Sequence, residues 1–181
     1  MIALRNVGWF SLVTFVPLYE VSIGNSESHG NRLLALMLLS GGIGTLGAGP
    51  LADRVGRRPV LLGSLALTGP LTLAYLLVGG IGGAVALALV GVCVIGTFGV
   101  TMVMGQEYLP RRIGMASGLT VGLAIGIGGV GAVVVGALAD RIDLDSALYV
   151  AAAVPLLSLA LAAFLPSTGP SRRLEPELVM P

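Results

Sequence analysis

The chain has 181 residues, of which 55% are hydrophobic and only 10% charged, with ten arginines, no lysine, nine acidic residues and one histidine. Soluble domains carry about 25% charged residues, so a mean hydropathy of +0.97 excludes water as the solvent of this fold. A net charge of +1 leaves no basic surface for a nucleic-acid partner, and the single Cys93 cannot form an internal disulfide.

A membrane span needs about 20 apolar residues to cross a hydrocarbon core of roughly 30 Å. Such a run becomes a helix because every backbone group must be bonded internally, and these runs are too long and too unalternating for barrel strands. Six spans are predicted, at about 4–22, 32–52, 59–79, 81–104, 113–139 and 146–166. The first is unusual. Between Arg5 and Glu20 only residues 7–19 are apolar, which at 1.5 Å each cover roughly 20 Å. Either the helix begins upstream of Met1, or a short helix thins the bilayer around it. The N-terminus carries no charged n-region or cleavage site of a signal peptide. Charged or Pro-containing loops at 53–58, 105–112 and 140–146, and a Gly-rich break at 79–83, separate the later spans. The tail 167–181, with Pro170, Pro176 and Pro181, reads as disordered and cytoplasmic. With six spans, eight arginines fall on the side of both termini and only Arg32 and Arg141 on the other. That asymmetry predicts cytoplasmic termini in a multi-pass protein of the cell (inner) membrane.

The hexapeptide GPLADR at 49–54 returns as GALADR at 136–141, 87 residues later. Each copy closes the second helix of a three-helix set, and three is odd, so the second set is inverted relative to the first. The expected fold class is all-α integral membrane, with six transmembrane helices as two inverted three-helix repeats.

The first copy extends into GPLADRVGRRPV, residues 49–60. A glycine-flanked turn carrying an aspartate and three arginines between two membrane helices resembles the signature loop of the major facilitator superfamily. The stretch VMGQEYLPRRIGMASGLTVGLAIGIGG, residues 103–129, and the ending ALYVAAAVPLLSLALAAFLP, residues 147–166, are similar to the fosmidomycin-resistance efflux subfamily. The resemblance implies the C-terminal six-helix half of a twelve-helix secondary transporter, a proton-coupled antiporter exporting a drug or small organic molecule. Its partners would be the lipid bilayer, the substrate, and the missing N-terminal six-helix half or a second copy. A stand-alone six-helix protein that dimerises to transport, and a non-transporting fragment or scaffold, stay open.

The resemblance assigns gating to Asp53, Arg54, Arg57 and Arg58, with Glu107, Arg111 and Arg112 at the next loop on the same side. Gly49 and Gly56 would permit the sharp turn and close helix approach. The alternative is that these arginines only anchor topology at the headgroups. Arg5 is a candidate for the wall of a polar substrate cavity, with Trp9 and Thr14 helping to line it; otherwise it snorkels to the surface. Gly118, Gly122 and Gly126, at i, i+4 and i+8, are expected to pack one helix against another. Two G-x-G-x-x-G matches, at Gly42/Gly44/Gly47 and Gly126/Gly128/Gly131, lie inside spans rather than after a strand and carry no dinucleotide site. His29 is expected to be solvated. The acidic residues fall at helix ends and in loops, so no buried proton-carrying carboxylate is expected; that group would belong to the missing half. No metal site, cofactor or catalytic constellation is read from the chain.

Overall fold

The computed structural model describes residues 2–163, apart from the side chains at 108, 145, 162 and 163; the expected tail 167–181 lies outside them. Eight α-helices follow one another: α1 Ile2–Ser22, α2 Glu27–Val55, α3 Arg57–Val78, α4 Gly80–Gly96, α5 Phe98–Tyr108, α6 Ile113–Ser117, α7 Ala124–Ala139 and α8 Leu144–Ala163. A π-helical turn, Gly118–Leu123, joins α6 to α7. The pieces α4 and α5 form one apolar stretch, Gly80–Glu107, and α6 through α7 another, Ile113–Ala139. With α1, α2 and α3 these make five helices long and apolar enough to cross a membrane. The sixth, α8, is apolar over the shorter Ser146–Leu161. The protein is an all-α membrane bundle with no strand among the described residues.

The side chains are arranged for lipid rather than water. Leu46, Ile81 and Val133 are all more than 70% exposed, whereas Ser11, Thr72 and Ser158 are fully buried. Small polar side chains go inward because they let helices approach closely, and hydrocarbon gives a hydroxyl no partner at all.

The packing obeys the internal repeat. In the first half α1 lies against α7 and α8; in the second, α4 lies against α2 and α3. Exchanging helices one, two and three with four, five and six turns each of these contacts into the other, and maps the α3–α8 contact onto itself. Glycines make the matching approaches. A Cβ at Gly44 would stand 2.9 Å from the backbone of Val92 on α4, and one at Gly131 would overlap Val7 on α1. Gly41, with 2.8 Å to the carbonyl oxygen of Gly91, corresponds likewise to Gly128, with 3.1 Å to the carbonyl carbon of Asn6. Each pair is separated by the same 87 residues as GPLADR and GALADR. Removing Cβ lets the backbones close in, so dispersion replaces the hydrophobic drive that lipid cannot supply.

The glycine row offered by the sequence behaves differently. A Cβ at Gly118, Gly122 or Gly126 would meet nothing within 4 Å. The spacing i, i+4, i+8 keeps to one face only while the helix winds α, and residues 118–123 wind as a π-turn with i→i+5 bonding. On this helix the close approaches fall instead to Gly128 and Gly131, and to Gly136, where a Cβ would stand 3.3 Å from the Phe15 ring.

Candidate functional site

At the Gly56 end of the bundle, α2 stops and α3 starts at one shared residue. Gly56 has φ 101°, a conformation open to glycine and strained for other residues, which makes so short a reversal feasible. Asp53 and Arg57 line one cavity of about 220 Å³ between α2, α4 and α5. Arg57, at the head of α3, forms an ion pair with Glu107 near the end of α5. Arg54, Arg111 and Arg112 are exposed, and Arg58 is half-buried. A Cβ at Gly49 would meet nothing within 4 Å, so Gly49 makes no close helix approach among the described residues.

Arg5 lies inside the bundle and is 3% exposed. Its Nη1 donates to Oγ1 of Thr97, at 3.2 Å, and of Thr101, at 3.1 Å. Both threonine hydroxyls give their own protons to the preceding helical turn, Thr97 to the Cys93 carbonyl at 2.7 Å and Thr101 to the Thr97 carbonyl at 2.6 Å. Their oxygens are thereby left as acceptors for the guanidinium. Ser64 on α3 stands 3.4 Å from Thr97 Oγ1, seven residues into its helix, so Arg5 sits about 10 Å inside the Gly56 end. The snorkelling alternative is thus not the geometry seen.

Nε and Nη2 of Arg5 and Nδ2 of Asn6 are buried without a hydrogen-bond partner. Arg5, Asn6, Trp9 and Phe10 form one wall of a cavity of about 310 Å³, faced by Leu38, Ile95 and Phe98. Thr14 does not belong to it. Nine residues from Arg5 at 100° each place Thr14 half a turn away, and it is exposed.

A second buried charge stands at the opposite end of α1. Glu20 is 4% exposed. Tyr75 Oη donates to its Oε1 at 2.7 Å and Asn25 Nδ2 to its Oε2 at 2.6 Å. His29 Nε2 is 3.7 Å from the same Oε2, with its side chain 48% exposed. Local capping sets this histidine: Ser26 caps α2 and accepts the His29 backbone N–H, so the ring falls in the first turn of α2. Tyr19 packs edge-on against Tyr75 at 5.9 Å. These residues line a cavity of about 340 Å³. The expectation of no buried carboxylate is therefore corrected, while His29 is exposed, as expected, with its ring edge near that carboxylate. Glu20 is the last polar group before the chain leaves its first apolar run, and its main partner is 55 residues away; proximity in sequence gives no hint of it.

Ser64, Thr68, Thr72 and Tyr75 are all buried on α3, at i, i+4, i+8 and i+11. This polar face runs from the threonines that hold Arg5 to the tyrosine that holds Glu20. Two more buried hydroxyls, Ser11 on α1 and Ser158 on α8, lack partners.

Residues 1–178 match the family model described as Major Facilitator Superfamily. Among curated relatives, the chain is 42% identical over 161 residues to the uncharacterized MFS-type transporter YfnC of Bacillus subtilis (strain 168), covering 89% of this chain and 38% of that protein. It is 36% identical over 148 residues to the fosmidomycin resistance protein of Escherichia coli (strain K12), covering 82% of this chain and 35% of that one. The chain thus spans little more than a third of the length of the relatives it matches.

Proposed function

The chain belongs to the major facilitator superfamily, whose members are membrane transporters, and from that premise we propose that it forms the C-terminal six-helix half of a proton-coupled exporter of a drug or small organic molecule. The observation that carries this reading is a bundle with inverted-repeat packing that holds a buried cation at a cavity on α1. In this reading both termini and the Gly56 loop face the cytoplasm. The cavity around Arg5 and Trp9 is one wall of a midplane site, and the other wall comes from a second six-helix bundle. Transport is the rocking of the two bundles about that site.

The Gly56 end acts as a gate. A gate must be bistable, with contacts worth a few kcal/mol that break in each cycle. Asp53 and Arg57 share a cavity that a residue of the opposite bundle would enter, and Glu107 holds Arg57 ready. Proton coupling is assigned to Glu20, a buried carboxylate that meets the outside through half-exposed His29.

The test is efflux from proteoliposomes under an imposed proton gradient, with fosmidomycin as the first probe because of the relative's name. The chain is reconstituted alone and together with the part of the Bacillus relative that lies outside the match. The expected result is gradient-dependent efflux that requires both parts and disappears in Asp53→Asn, with membrane insertion intact. Efflux by the chain alone would show that a second copy supplies the other bundle. Efflux indifferent to collapse of the gradient would remove the proton from the mechanism, and a normal rate in Asp53→Asn would remove the gate.

A further inference from the structure

We propose that the Arg5 cavity binds the anionic head of its ligand, a carboxylate, phosphonate or phosphate monoester, with an aromatic or other apolar body lying against Trp9, Phe10 and Phe98. This rests on the reading of that cavity as a substrate site and names the class of substrate it takes.

A guanidinium presents its donors in a planar fork. In Arg5 the Nη1 corner is occupied by two neutral threonine oxygens, which satisfy donors without balancing charge. The remaining edge, Nε together with Nη2, is buried and empty of partners. That edge carries two parallel N–H groups, the geometry that a two-oxygen anion accepts bidentately. Asn6 Nδ2, on the next residue, is a further buried donor without a partner. Arg5 and Asn6 both line the cavity, and their three unpartnered groups, each shielded by its neighbours, are all donors.

No acid within the described residues balances the charge. Glu107 is engaged by Arg57, at the Gly56 end. Glu20 is engaged by Tyr75 and Asn25 and lies fifteen residues along α1, about 22 Å away. An unbalanced cation within a membrane bundle is expensive and marks a substrate or ion pathway by default. A cationic substrate would double the charge, and a neutral one would leave it standing. The rest of the wall is apolar, and a volume of about 310 Å³ sits at the lower end for a small-molecule site. One charged head on a compact apolar body fits that lining.

Trp9 on the cavity wall is the chain's single tryptophan, so its fluorescence reads the site directly. The purified chain in a neutral detergent is titrated with phenylphosphonate, benzyl alcohol, benzyltrimethylammonium, inorganic phosphate and phosphatidic acid. Phenylphosphonate is expected to give a saturable change at a concentration at least tenfold below the neutral and cationic aryl compounds. Arg5→Gln should weaken it tenfold or more, since hydrogen bonds to charged groups are the strong class. Arg5→Lys, which keeps the charge and loses the fork, should fall between.

Equal responses to phenylphosphonate and benzyl alcohol, or an Arg5→Gln titration that superimposes on the parent, would overturn the proposal. So would saturation by phosphatidic acid that blocks phenylphosphonate, which would make the site a lipid-headgroup site. Binding is read apart from transport. Anion binding by the chain, with no efflux from the two-part reconstitution, leaves this inference standing and defeats the transporter reading, while efflux of neutral compounds by that reconstitution without anion binding does the reverse.

Discussion

Replacing Gly91 by alanine tests whether close glycine approaches hold this bundle together. Gly91 lies where α4 crosses α2, and a Cβ there would overlap the carbonyl oxygen of Met37 and stand 2.9 Å from its carbonyl carbon. The obstacle is backbone, so no rotamer relieves it and the two helices must separate. Ser40 Oγ donates across the same crossing to the Ala88 carbonyl at 2.8 Å and would be stretched with it. Overpacking by one carbon costs about 1–3 kcal/mol, and a backbone clash belongs at the upper end. Alanine returns up to about 1 kcal/mol of helix propensity, leaving a net loss of about 2 kcal/mol. For a chain of this size that is a fall of about 4–8 °C in melting temperature. The control is Gly42→Ala on α2, where a Cβ meets nothing within 4 Å, and which should melt at or slightly above the parent. Thermal unfolding of both variants in detergent, followed by far-UV circular dichroism, measures the difference. A Gly91→Ala protein that melts with the parent, or a Gly42→Ala protein that falls as far, would refute the assignment of packing to these approaches.

Four further outcomes are expected. Arg57→Glu should abolish efflux and the double exchange with Glu107→Arg should restore part of it, while melting moves little because a half-exposed ion pair is worth about 0–1 kcal/mol; a swap that restores nothing would deny the pair a role. Tyr75→Phe takes one donor from the buried Glu20 carboxylate and should cost about 1–3 kcal/mol, read by the same melt, with an unshifted curve counting against the bond. Glu20→Gln should keep the fold and lose the gradient dependence of efflux; retained dependence would move the proton site elsewhere. Gly56→Ala forces a side chain into a positive-φ conformation and should lower stability by about 1–3 kcal/mol, whereas an equally placed change at Gly49, which has open space around it, should not.

What could be read from the sequence follows from where each feature's partners lie. Spans and loops are written in local composition, and the 87-residue echo of GPLADR carries the topology because an inverted repeat copies its own packing. The structure extends that echo to Gly41 with Gly128 and Gly44 with Gly131, which a six-residue match could not single out among 28 glycines. Two misreadings came from helix phase. Thr14 is half a turn from Arg5, which angular arithmetic already excludes. Gly118, Gly122 and Gly126 keep to one face only in an unbroken α-helix, and nothing in LTVG announces a π-turn.

The buried charges differ in how they could be found. Arg5 stands out in any apolar run, because its cost in lipid is large. Glu20 does not, because an acid two residues from the end of a span looks like a headgroup contact. What marks it is the other helix: Ser64, Thr68, Thr72 and Tyr75 recur at helical spacing within 57–78, and a polar stripe on a membrane helix faces the bundle interior, where the group at its end can meet a buried charge. Thr68 and Thr72 satisfy their hydroxyls on their own backbone, at 2.7 and 2.8 Å, so the stripe is not built to hold the helix to its neighbours. Its two ends are where it reaches other elements, Ser64 toward the Thr97 that holds Arg5 and Tyr75 onto Glu20. Between those ends its hydroxyls bond only to their own helix, so each end serves its own charge, Ser64 beside the threonines that hold Arg5 and Tyr75 on Glu20.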